Sequence, residues 1–201
     1  MAEPASNLGG GIVDIGLNTL LVALMFVTVL CMGIGNILVV MADISNQASP
    51  SRRDRVHVAW IVLLLLIHFN LFWHTKAILT VDDWRFPSFL LAIAGPVLLF
   101  FATSIALTEP PARDAAGARE FFDALGRRFF MMLAALQVWI VGVSYSLDGS
   151  FVASDMINAG LFGLALVLST NPRAPFQVPG VFVAWGLGLV SLGLRWLEAS
   201  N

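Results

Sequence analysis

Between Val56 and Val81 an apolar run is interrupted by His68, Asn70, His74 and Lys76, the last being the only lysine in the chain. Ionisable groups inside a membrane span are costly to bury and usually serve a pathway, a binding site or a structural pair. Imidazole changes charge near neutral pH, so a histidine at mid-depth is suited to taking up and releasing a proton. His68 lies 11 residues beyond His57, about 16 Å along a helix axis at 1.5 Å per residue, which puts it near the midplane. Lys76 is closer to the far end, where its stem can carry the ammonium out to the headgroups.

Helical geometry divides these groups by direction. At 100° per residue His57 and His68 fall within roughly 20° of one another, on a stripe with Leu64 and Thr75. His74 is about 120° away from His68, and Asn70 and Lys76 also diverge from it. The four groups therefore do not form one stripe. Candidate partners at similar depth are Asp14 and Asn18 at the start of the first apolar run, Gln137 and Tyr145 in the fourth, Asp155 and Asn158 in the fifth, and Arg195 in the sixth. Together they outline a polar cavity in the outer half of a helical bundle, with Asp14 as a counter-charge. The structural reading stands beside this one: membrane histidines and asparagines also hydrogen-bond neighbouring helices for stability alone.

The elements that must position these groups are membrane helices. Of 201 residues 58% are hydrophobic and only 12% charged, and the mean hydropathy is +0.85; a soluble domain carries about 25% charged residues. The apolar runs reach the roughly 20 residues that cross a ~30 Å hydrocarbon core. Six spans can be drawn, at 12–42, 56–81, 87–108, 129–147, 152–170 and 176–197, in a single transmembrane domain covering 1–201. The expected fold is thus an all-α integral membrane bundle. Residues 1–11 form a tail without Lys or Arg, so the first run reads as an uncleaved span and not as a secretory signal.

Orientation follows the basic residues at the span ends. Arg52, Arg53, Arg55, Arg113, Arg119, Arg127, Arg128 and Arg173 lie in the odd connections, against Arg85, Arg195 and Lys76 on the other side, eight to three. That places the odd connections in the cytoplasm and both termini outside, in a cytoplasmic (inner) membrane. Before the fourth span, Phe121, Phe122 and Leu125 alternate with Arg119, Glu120, Asp123, Arg127 and Arg128, the pattern of a short amphipathic helix at the cytoplasmic interface.

Six spans invite a three-plus-three comparison, since many transporters are inverted repeats. Asp14 to Asn18 resembles Asp123 to Arg127, and Phe86-Pro87 resembles Phe176 to Pro179, but these matches are short and come from a biased alphabet. Gly33, Gly35, Gly160, Gly163, Gly180, Gly186, Gly188 and Gly193 are small residues that let helices approach. Gly95-Pro96 sits mid-span, where proline removes a backbone hydrogen bond and makes either a hinge or a fixed bend. Trp73, Trp84 and Trp196 fit an outer aromatic belt, while Trp139 and Trp185 lie deeper.

Several functions lack their residues. Net charge is −2 with no basic stripe, so nothing points to nucleic acid. The single Cys31 makes neither a disulfide nor a cysteine metal cluster, and Asp82-Asp83 reads as a turn. All three histidines lie in or beside one span, which argues against haem ligated within one chain, and the lysine is misplaced for a retinal Schiff base. A channel filter, a Walker loop, HExxH and GxSxG are absent, so no enzymatic machinery, metal or cofactor is expected. The leading expectation is a channel or transporter for a small solute or ion, proton-coupled through His68 in its sharpest form. Asn70, His74, Gln137, Asn18, Lys76 and Asn158 would line the path, and Gly95-Pro96 would flex. The rival is a non-transporting subunit, sensor or assembly partner of a larger complex, and in either role a homo-oligomer or a partner membrane protein is expected. A lipid-modifying or cofactor-binding enzyme is the third and weakest alternative.

Overall fold

The computed structural model describes residues 16–46, 55–81, 84–108, 115–148, 153–171 and 174–199. Asp14, the tail 1–11 and the pair Asp82-Asp83 lie outside the described residues. Among the described residues the chain is helical: α1 (Leu17–Asn46), α2 (Arg55–Trp73), α3 (Thr75–Ile78), α4 (Phe86–Leu107), α5 (Ala115–Asp148), α6 (Ala153–Thr170) and α7 (Ala174–Ala199).

Four segments are long and apolar enough to cross a membrane: Leu17–Asn46, Val56–Ile78, Phe86–Leu107 and Leu125–Ser146. The apolar parts of the last two helices, Asp155–Thr170 and Phe176–Ser191, are shorter. Asp155 and Asn158 lie in the opening turns of α6. A carboxylate in a first turn is favoured by the helix dipole, which explains why the helix tolerates it there. The outer surfaces are apolar, with Leu24, Met32, Phe101, Met156 and Phe182 all more than half exposed, as contact with hydrocarbon requires.

One element differs from the sequence expectation. The second span is not one helix: α2 stops at Trp73, and the chain passes through His74 into the single turn of α3. The His74 amide is shared between the carbonyls of Asn70 (3.3 Å) and Leu71 (3.1 Å). Ala77 then donates to His74, Leu79 to Lys76 and Val81 to Ile78, each three residues back. This is the tightening toward 3₁₀ geometry that helix ends commonly show. The Thr19 hydroxyl donates to the Val81 carbonyl at 3.0 Å and pins this end to α1. The amphipathic segment before the fourth span runs into that span as a helical extension. It forms the first turns of the 34-residue α5, because nothing between Ala115 and Phe129 caps or breaks it. At 1.5 Å per residue α5 is about 51 Å long, so it extends well beyond a ~30 Å core.

Cross-helix contacts give the directions of the helices. Gly33 faces His68 while Thr19 reaches Val81, so α1 and α2 run antiparallel. Gly160 meets Leu187 and Gly180 meets Leu168, so α6 and α7 are antiparallel as well. The Trp185 indole donates to the Ala59 carbonyl at 3.3 Å and Gly188 approaches Leu63, so α2 and α7 run parallel. Only some of the glycines mark close approach. A methyl group at Gly180 would sit 2.8 Å from Leu168, and Gly33 and Gly95 are tighter still. Gly35, Gly163, Gly186 and Gly193 meet no neighbouring atom within 4 Å among the described residues.

Candidate functional site

Helix α2 has two inward faces with different chemistry. One carries Ile61, Leu64 and His68, all essentially inaccessible, at i, i+3 and i+7. The His68 Nδ1–H donates to the Leu64 carbonyl at 2.8 Å. A carbonyl can only accept, so in the neutral ring this bond assigns the proton to Nδ1 and leaves Nε2 as an acceptor. Nε2 has no hydrogen-bond partner among the described residues, and it points at Gly33 of α1 so closely that a Cβ there would collide with the ring.

The other face carries Trp60, Leu63, Ile67 and Asn70, at i, i+3, i+7 and i+10, and it borders a cavity of about 100 Å³ between α2, α5, α6 and α7. Phe130, Leu133, Gln137 and Ile140 of α5 form the next wall. Asn158, Leu161, Ala165 and Leu168 of α6 face them, and Ala184, Gly188 and Ser191 of α7 complete the lining. At one end Trp60 packs edge-on against Phe129 and Phe130, with centroids 5.8 and 5.3 Å apart. Asn70, Gln137, Asn158 and Ser191 lie toward the other end, where α2 and α5 finish and α6 begins.

Three of these polar groups are buried and unpaired. The Gln137 Oε1, the Asn158 Nδ2 and the Trp60 Nε1 have no hydrogen-bond partner among the described residues, and their side chains are 7%, 4% and 6% exposed. A buried polar atom left unpaired costs about 1–3 kcal/mol, and most such atoms in folded proteins are satisfied. Three around one mostly apolar cavity make it the most distinctive polar feature of the bundle. The set offers one acceptor and two donors, and no charged side chain lines the space. Ser191 has no His, Asp or Glu beside it among the lining residues that could serve as its base. Among the described residues no group of three His, Cys, Asp or Glu could hold a metal.

The residues read from the sequence as one pathway are therefore split. Asn70, Gln137 and Asn158 come together at the cavity. His68 does not line it, because α2 turns it roughly 160° away from Asn70 and into α1. His74 occupies the break between α2 and α3. Lys76 is exposed, with its ammonium 4.0 Å from the Trp73 ring centroid, and Asn18 is exposed at the start of α1. Gly95 and Pro96 are buried, and Gly95 is pressed against the Trp139 ring, whose indole donates to the Leu91 carbonyl at 2.5 Å. Pro96 removes a backbone hydrogen bond from this turn of α4, and Trp139 packs directly against it.

Sequence reading missed Trp60 and Ser191. The signal for Trp60 was its place on one stripe with Leu63, Ile67 and Asn70, an apolar face that ends in an amide. For Ser191 no spacing signal existed, since a serine is ordinary in an apolar helix. No protein-family model matches the chain, and neither the curated proteins nor the solved structures contain a significant match to it.

Proposed function

We propose that this chain is an integral membrane protein that passes a small solute across the bilayer through the cavity between α2, α5, α6 and α7. The observation that carries this reading is the convergence of the unpaired Gln137 and Asn158 amides, with the Trp60 indole, on a single space. Binding pockets are typically apolar with a few placed polar groups, and this one has that composition. His68 enters the reading as a structural residue, since it serves the α1–α2 contact.

In this reading all six long helices cross the membrane in alternating directions, with α3 finishing the second crossing. The antiparallel pairs α1–α2 and α6–α7 and the parallel pair α2–α7 support it, because the second and sixth of six crossings must point the same way. The excess of arginines in the odd connections supports termini outside the cytoplasm. A three-plus-three repeat rests on the short sequence matches alone.

The test is osmotic shrinkage and reswelling of proteoliposomes in gradients of small solutes and salts, with Gln137→Leu as the comparison. Solute-dependent reswelling lost in Gln137→Leu is the expected result. No flux from folded protein with any solute or ion would retire the transport reading in favour of a membrane subunit, sensor or assembly partner.

A further inference from the structure

The geometry points to a particular class of occupant: we infer that the cavity binds a small uncharged molecule that both donates and accepts hydrogen bonds, of the amide or short-polyol type, and rejects ions. The inference rests on the reading of the cavity as the solute's site and names the chemistry of that solute.

Size sets the first limit. A cavity of about 150 Å³ admits benzene with its six carbons, so about 100 Å³ suits a molecule of about four non-hydrogen atoms. Charge sets the second. The lining contains no Asp, Glu, Lys, Arg or His, and its walls are largely Leu, Ile, Phe and Ala. An ion stripped of water there would touch no charged side chain in the lining, and a buried charge needs a counter-charge or metal to be tolerated. Hydrogen-bonding capacity sets the third. Gln137 Oε1 requires a donor from the occupant, and Asn158 Nδ2 and the deeper Trp60 Nε1 require acceptors. A primary amide or a polyol carries both within a few atoms, whereas an alkane carries neither. A site built to hydrogen-bond its ligand strongly rejects an analogue that lacks those groups, because its own buried polar atoms are then left unpaired.

Binding can be read without flux. Ser191 lines the cavity, and Ser191→Cys changes it by one atom; Cys31→Ser removes the only native thiol, which lies exposed on α1. In detergent, the thiol introduced by Ser191→Cys should react with a small methanethiosulfonate reagent. Acetamide should slow that reaction, by about tenfold at ten times its dissociation constant. Methylammonium chloride, smaller than acetamide and so able to enter but charged, should not slow it. Adding Asn158→Asp should reverse the preference, so that methylammonium protects. Adding Gln137→Leu should abolish protection by acetamide while leaving the thiol reactive.

Equal protection by methylammonium and acetamide in the Ser191→Cys protein would overturn the inference, as would a reactive thiol that neither slows. A thiol unreactive in folded protein would overturn it too, since the site must be reachable from water. Protection by acetamide without any flux in proteoliposomes would keep the binding class and retire the passage reading. Flux of acetamide without protection would do the reverse.

Discussion

The two inward faces of α2 bury polar side chains of similar size in opposite ways. On the α1 side His68 is inaccessible, donates to the Leu64 carbonyl and fits against Gly33, so the imidazole is held by its own helix and by a glycine with no room to spare. On the α5–α7 side the amides of Gln137 and Asn158 are almost as deeply buried, yet they face a cavity and lack partners among the described residues. A titratable side chain in a membrane helix attracts attention because it is ionisable. The proposed function rests on that difference in accessibility: it takes the packed histidine as a wall residue and the unpaired amides beside the cavity as binding groups.

The largest expected effect breaks the packed face. Gly33→Ala places a methyl group into the His68 ring, and overpacking of this kind costs about 1–3 kcal/mol, with larger losses when nothing can move. Thermal unfolding in detergent should show it, and the double variant Gly33→Ala/His68→Ala should be more stable than the sum of the two single losses implies. Strict additivity would mean the two residues do not press on each other. Gly95→Ala should behave similarly by dislodging Trp139.

The second prediction has the opposite sign on the other face. Gln137→Met preserves side-chain volume and removes an unpaired amide, so stability should hold or rise by up to about 2 kcal/mol while solute flux is lost. Instability would indicate that Gln137 is structural. The third concerns the Gly95-Pro96 turn of α4: Trp139→Phe removes the indole donor to Leu91 and should cost about 1 kcal/mol with little change in flux. A large loss of flux at unchanged stability would mark Gly95-Pro96 as a moving part. The smallest effect is expected at Lys76, whose exposed contact with Trp73 should contribute no more than about 0.5–1 kcal/mol; Lys76→Gln should leave both stability and flux close to wild type.

Part of this contrast was legible in the sequence. The helical character and the spans containing α1, α2, α4 and α5 follow from apolar runs whose length matches a bilayer. Asn70, Gln137 and Asn158 were legible as polar groups at similar depth, because depth depends only on counting residues along each helix. Direction was harder. The 100° rule separates Asn70 from His68, but it cannot say which side of α2 meets α1 and which meets α7; that choice depends on where Gly33 lets α1 approach. The break at His74 was hidden as well, because no proline or glycine marks it; successive bonds to the third residue back, and Thr19 holding Val81, shape the end of that span. The continuity of α5 was legible in retrospect from the absence of a cap between Arg113 and Phe129.

The most direct test measures acetamide flux into proteoliposomes for three proteins side by side: wild type, Gln137→Leu and His68→Gln. Expected are flux in the wild type, loss in Gln137→Leu, and retention in His68→Gln at matched folded amounts. Flux that survives Gln137→Leu and disappears in His68→Gln would contradict the cavity as the path, and would move it to the α1–α2 face.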